Sequence, residues 1–166
     1  TFREKFNNSV GKEAILLLIG DIDNEYGKQV NNLLNISENK IIKFKAQKYR
    51  DLPKFYQVAD VALFPKQCSL SFYDVQACGL PVISEANNIN IERNSNGNGL
   101  NFSPDDVLDF RRRIIEMLEL PQAEFNKIKE NAISYIKKNF DYKEIAEKYT
   151  GVLENELTRW YNKGEY

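Results

Sequence analysis

The stretch Asp60-Val-Ala-Leu-Phe-Pro-Lys-Gln-Cys-Ser-Leu-Ser-Phe-Tyr-Asp-Val-Gln-Ala-Cys-Gly-Leu-Pro-Val-Ile-Ser-Glu85 admits few folds. Val61 to Phe64 is a short apolar run that Pro65 closes, and a second begins at Pro81; between them a helix begins near Ser69 or Leu70 and stops at Gly79. Two buried strands joined by a loop and one helix form a parallel unit. In such a unit the helix start, with its unpaired N–H groups, faces the crevice at the carboxyl end of the strands. The expected guest is an anion, most simply a phosphate.

The rest of the chain extends this pattern. Ala14-Ile-Leu-Leu-Leu-Ile19, closed by Gly20-Asp21, reads as a central parallel strand buried on both faces, and Ile41 to Phe44 as a shorter one. Helices are expected at Asn24 to Leu34, with Tyr26, Val30, Leu33 and Leu34 on one side, and at Arg50 to Val58, with Asp51 as cap and Pro53 in the first turn. Phe2 and Phe6 stand at helical spacing in the first ten residues. Asn87 to Asn98 reads as a polar loop with a helical turn around Ile89 to Arg93, followed by a last strand at Gly99 to Phe102.

Ser103-Pro104-Asp105-Asp106 reads as a helix start with Ser103 as cap, and the helix runs to Leu118 with Leu108, Ile114, Ile115 and Leu118 inward. Arg111, Arg112 and Arg113 point in different directions on it, as a solvated face does. Two amphipathic helices, Gln122 to Lys138 and Tyr142 to Arg159, break at Asn139-Phe140-Asp141. The sum is an α/β class fold: a Rossmann-like parallel sheet of roughly five strands flanked by helices.

Composition closes off several chemistries. With no histidine, His-based triads, proton shuttles and His metal sites are excluded, and Cys68 and Cys78 do not make a zinc or redox motif. A formal net charge of −1 gives no reason to expect nucleic acid. No run is apolar enough to span a bilayer and no signal peptide opens the chain, so a soluble cytoplasmic protein is expected.

Ala59-Asp60-Val61-Ala62-Leu63-Phe64-Pro65, with Asp74-Val75-Gln76-Ala77-Cys78-Gly79-Leu80-Pro81-Val82, resembles the "aDv.v.PS..EgfGl...EAmAcGlPVv" text of the group 1 family of GT-B glycosyltransferases. The resemblance extends from about Ile15 to about Leu157. It implies the C-terminal, nucleotide-sugar-binding half of a GT-B fold, a single domain over residues 1–166. It further implies a fragment, lacking the family's N-terminal acceptor lobe and the first strand of this lobe.

The same resemblance assigns residues. Asp74 stands at the family's second glutamate, which binds the ribose hydroxyls of the donor nucleotide; the backbones of Ser69, Leu70 and Ser71 face the diphosphate. Ala46, Gln47 and Lys48 lie against the base, although a solvated loop lysine accounts for Lys48 equally well, and Ser69 could simply cap its helix. Gly20, which closes the matching strand, falls on the donor-nucleotide side, and Lys66 and Gln67 fall on the donor-sugar side, where the family's first glutamate has no clean counterpart. The catalytic residue is not identified.

The expected activity is hexosyl transfer with retention, from a UDP- or GDP-sugar to a glycan or lipid-linked acceptor in polysaccharide biosynthesis, without metal or other cofactor. The alternative is a degenerate, non-catalytic nucleotide-sugar-binding or scaffold subunit of a glycan-synthesis complex. The fragment alone is expected to be inactive. Membrane association, if any, would be peripheral and through the missing lobe.

Overall fold

The computed structural model describes residues 2–22, 24–66 and 68–162. In chain order it has strands β1 (Ile15–Ile19), β2 (Lys40–Phe44), β3 (Ala62–Phe64), β4 (Val82–Glu85) and β5 (Gly99–Phe102). Helices α1 (Asn24–Asn35), α2 (Leu52–Val58), α3 (Ser71–Ala77), α4 (Asn88–Arg93), α5 (Val107–Glu119), α6 (Gln122–Asn139) and α7 (Tyr142–Asn162) alternate with the strands and then follow them. Every strand pairing is parallel, as crossover helices require.

The five strands divide into two sheets. β1 pairs with β2, from Ile15 opposite Lys40 to Ile19 opposite Phe44, and β3, β4 and β5 form the second sheet in that order. The central strand is β4: Val82, Ile83 and Ser84 are buried and both its edges carry ladders. β1 is instead half-buried, with Ile15 on the surface. An apolar run reads as central only if both its edges are covered, and one edge of β1 has no ladder partner among the described residues.

Two apolar clusters sandwich the three-stranded sheet. On one face Phe6, Ile83, Phe102, Phe110, Ile114 and Met117 pack together, and on the other Phe72, Val75, Leu80 and Val82, closed by Tyr135 of α6. Gly79, at φ 74°, makes the reversal from α3 into β4 in the left-handed region that glycine alone enters without cost.

Several expectations are corrected. Residues 2–10 are an irregular strap, not helix: Phe6 is buried in the core, its amide donates to Asn39 Oδ1 at 3.0 Å, and the Asn39 side chain donates to the carbonyls of Phe2 and Glu4. Arg111 bonds the carbonyls of Glu4 and Lys5 and lies over the Phe6 ring, so it pins the strap to α5 and is not a solvated charge.

Asp106, not Ser103, caps α5, accepting from the amides of Leu108 and Asp109 at 2.9 Å. Ser103 instead donates to Asp109 through both its amide and its hydroxyl. Moving the helix start downstream leaves Leu108 exposed. Tyr26 and Leu33 of α1 are exposed too. Asp51 accepts no capping bond and pairs with Lys54.

Candidate functional site

Parallel strands aim all their carboxyl ends at one edge, so the loops after them meet there. After β1 comes Gly20, at φ 145°, where the backbone conformation and not crowding calls for glycine. Its neighbour Asp21 accepts from the Ala46 amide at 3.4 Å, tying the loop after β1 to the loop after β2. In that second loop Ala46, Gln47 and Lys48 are exposed; the Gln47 side chain folds back onto the Lys45 carbonyl, and the Lys48 ammonium has no partner among the described residues.

A short 3-10 turn (Tyr49–Asp51) follows, and it makes the link to α3. The Tyr49 hydroxyl donates to Asp74 Oδ1 at 2.7 Å across 25 residues of sequence. The hydrogen bond to the carboxylate, together with its charge, raises the Tyr49 phenol pKa above the usual tyrosine value. Burial and the Asp74 charge raise the Tyr56 phenol and the Cys78 thiol as well. Asp74 therefore sits on the first turn of α3 beside the loop that follows β2, half-buried and with Oδ2 making no bond among the described residues.

The turn before α3 is open but partly self-satisfied. Ser69 Oγ accepts from the Ser71 amide at 3.1 Å, and the Ser69 carbonyl accepts from the Phe72 amide at 3.3 Å. Of the three amides singled out in sequence, that of Ser71 is thus engaged locally. Those of Ser69 and Leu70 make no hydrogen bond among the described residues, and the Leu70 side chain is exposed.

On the far side of the edge Lys66, just after β3, bonds Glu85 Oε1 at 3.3 Å and also the Asp105 carboxylate. These two acids raise its pKa above the ordinary lysine value, Asp105 contributing most. The Asp105 amide in turn donates to Glu85 Oε1 at 3.0 Å, from a left-handed backbone at φ 58°. The ends of β3, β4 and β5 are therefore clasped together by one lysine. Gln67 lies outside the described residues.

Sequence reasoning missed Tyr49, Glu85 and Asp105, and it missed the polar core behind the edge. Gln76 and Asn98 are fully buried and bond each other, with Asn98 Nδ2 donating to Gln76 Oε1 at 2.6 Å. Gln76 also reaches the carbonyls of Leu80 and Asn98, and Asn98 that of Arg93. Asn94 and Asn101 share the Ser84 hydroxyl, and Asn90 bonds the Glu85 carbonyl. The Asn-rich stretch reads as loop from composition, yet its amides satisfy buried backbone groups that would otherwise be unpaired. The signal available was Gly99: a Cβ there would stand 2.3 Å from the Val82 carbonyl oxygen, a sign of backbone packed on backbone.

Among the described residues no group of three or more cysteines, aspartates and glutamates could hold a metal ion, and no helix is long and apolar enough to cross a membrane.

Several solved structures share this architecture. Sucrose-phosphate synthase from Thermosynechococcus elongatus is 22% identical with a TM-score of 0.71, over 87% of this chain and 38% of that one. HepE of Anabaena, in complex with UDP, is 20% identical with a TM-score of 0.73, over 84% of this chain and 40% of that one. WaaG, a glycosyltransferase involved in lipopolysaccharide biosynthesis, is 16% identical with a TM-score of 0.62, over 76% of this chain and 34% of that one. At these identities the likeness is one of fold, the GT-B fold, and the chain spans two fifths or less of each structure's length. No curated protein matches the chain. The model of one family, described as "Glycosyl transferases group 1", matches residues 1–120. With that match over most of the chain and this arrangement of strands behind it, the chain belongs to the group 1 glycosyl transferases.

Proposed function

We propose that these residues are the donor-nucleotide lobe of a retaining glycosyltransferase that moves a hexose from a UDP- or GDP-sugar to a glycan or lipid-linked acceptor. The observation that carries this reading is the Tyr49–Asp74 bond, which brings the 46–48 loop, the acid of α3 and the 69–71 turn to one edge. A base against Ala46–Lys48, a ribose diol on the free Asp74 oxygen and a diphosphate at the Ser69 and Leu70 amides would follow one another along that edge. In the transfer, the bond from the anomeric carbon to the diphosphate oxygen breaks and the acceptor hydroxyl oxygen bonds that carbon. The hydroxyl proton leaves with the diphosphate. Charge builds on the diphosphate, so fixed N–H groups there are worth several kcal/mol. No metal enters this proposal.

The divided sheet supports a further part of the reading. A doubly wound sheet has the strand order 3-2-1-4-5-6, with its ligand crevice where the order reverses. β2-β1 and β3-β4-β5 are the two flanks of that order, 3-2 and 4-5-6. We propose that a parallel strand from outside these residues occupies the first place, between β1 and β3, and that its following loop completes the diphosphate site. The acceptor lobe belongs to the same proposal. α7 has no buried residue, and Tyr149, Val152, Leu153 and Trp160 stand exposed along it, an apolar surface for that lobe to cover. The 166 residues alone are expected to be inactive, and the full protein to work in the cytoplasm in polysaccharide biosynthesis.

HepE was solved with UDP-glucose, so that is the first donor to try. Calorimetric titration of the full-length protein with UDP, GDP and their glucose conjugates is expected to show binding by one base series, lost in Asp74→Ala. Failure to bind either series at millimolar nucleotide sinks the reading.

One observation favours a second reading. Lys66 is clasped by Glu85 and Asp105 on the donor-sugar side, leaving no free acid at that position. A lobe that binds nucleotide sugar without transferring it, as a subunit of a glycan-synthesis complex, is therefore the alternative. Nucleotide binding without transfer or hydrolysis in the full-length protein would select it.

A further inference from the structure

Arg93 ends α4, and its side chain runs inward beneath the turn that precedes α3. It is 93% buried by its 7% exposure. Its guanidinium carbon lies 5.1 Å from the centre of the Phe72 ring and 4.8 Å from that of Tyr73. One nitrogen, Nη1, donates to the Ser69 carbonyl at 3.2 Å, and Nε is buried without a partner. No carboxylate pairs with it among the described residues, whereas Arg112, Arg113 and Arg159 all have acidic partners.

A buried guanidinium without a counter-ion is costly, and two aromatic faces with one carbonyl offset only part of that cost. The charge is retained in a place where solvent screens it poorly, directly behind the Ser69–Ser71 backbone. Nη1 also fixes the peptide at Ser69 by its oxygen, which sets the direction of the amide that follows, that of Leu70. An anion at the outer side of the turn would meet both a held amide and an uncompensated positive charge.

We propose that Arg93 is a positioning residue for the diphosphate: it holds the Ser69 carbonyl from below and supplies, through the turn, the positive potential that a bound pyrophosphate group balances. This rests on the donor-lobe reading and deepens it. Arg93 touches no substrate atom in this role; it acts through the 69–71 backbone. A purely structural arginine, stacked between rings to fill the core, makes a different prediction, because its charge would not matter to the ligand.

The test separates charge from packing in the full-length protein. Arg93→Met keeps a long side chain against the two rings and removes the charge; Arg93→Lys keeps the charge and loses the planar fork. Affinities for the nucleoside diphosphate that the wild type prefers and for its bare nucleoside are measured by calorimetry. Arg93→Met is expected to weaken the diphosphate about tenfold while leaving the nucleoside unchanged, and Arg93→Lys to stay within about threefold for both.

Equal losses for diphosphate and nucleoside, or none for either, overturn the assignment to Arg93 alone and leave the donor reading standing. A wild-type protein that binds neither ligand overturns both. Should Arg93→Met fail to fold, Arg93→Lys decides: a folded lysine variant that no longer prefers the diphosphate over its nucleoside refutes the role of the charge, and one that keeps the preference supports it.

Discussion

Asp74 shows what a single residue position can and cannot disclose. The resemblance singled Asp74 out on a helix expected to stop at Gly79, and the structure has it on the first turn of α3. Its partner was not legible. Tyr49 reaches it only through the tertiary meeting of the 3-10 turn with α3, and nothing in the spacing of residues 49 and 74 forecasts a 2.7 Å bond.

The bond makes a prediction with a sign. The phenol is held protonated by the neighbouring carboxylate, so Asp74→Asn should bring the Tyr49 pKa down toward the ordinary tyrosine value, read by ultraviolet titration against a Tyr49→Phe control. If the donor ribose uses the free Asp74 oxygen, Tyr49→Phe should change nucleotide affinity by less than about threefold, since the phenol bonds the other oxygen, Oδ1, from an exposed site where solvent screens the interaction. A loss from Tyr49→Phe as large as that from Asp74→Ala would instead place the phenol in contact with the ligand.

At the scale of elements, the start of α5 explains where sequence reading stopped. Ser103-Pro104-Asp105-Asp106 contains three residues able to cap, and propensity alone ranks serine and aspartate nearly equal. The choice falls to Asp106 because Asp105 leaves the strand in a left-handed conformation, with its amide on Glu85 and its carboxylate on Lys66. That arrangement is tertiary, and no window of sequence contains it. Ser103 is thereby freed to donate to Asp109, whose carboxyl is held down at about 2, the Ser103 amide being the largest cause, with the Ser103 hydroxyl and Arg112 helping against burial.

A carboxyl whose folded pKa is depressed stabilises the fold above its ordinary range and loses that contribution as pH falls toward the folded value. Asp109→Asn is accordingly expected to cost about 1–3 kcal/mol at neutral pH. In urea denaturation at stepped pH, the difference from wild type should shrink below about pH 4 and close near the folded pKa. A difference that persists undiminished in acid would mean that the side chain acts by shape and not by charge.

For the whole molecule, the two parallel sheets were both foreseen as strands and neither as separate. Apolar runs disclose which segments are strands; they say nothing of which edges are filled, because a ladder partner is recruited by backbone groups that every residue carries alike. The consequence is an uneven distribution of stability. Both buried clusters are built on β3, β4, β5 and the helices that cover them, with Phe6 of the strap as the sole buried contribution to the larger one from the described residues before Phe72.

Within the two-stranded half, every residue of β1 and β2 is half-buried or exposed. A two-stranded parallel sheet with a thin cover opens by local fluctuation, whereas β4 opens only with the whole fold. In hydrogen exchange on these 166 residues, the β1 amides that bond β2 should therefore exchange at least about tenfold faster than those of Val82 to Ser84. In the full-length protein, where the proposed strand would cover the open edge of β1, that gap should close to within about threefold, with β1 gaining and β4 nearly unchanged. Equal protection of the two sheets in the short chain would show that the strap and α1 already suffice to hold β1. An unclosed gap in the long one would show that no strand enters between β1 and β3, and with it would fall the placement of the diphosphate site at that reversal of strand order.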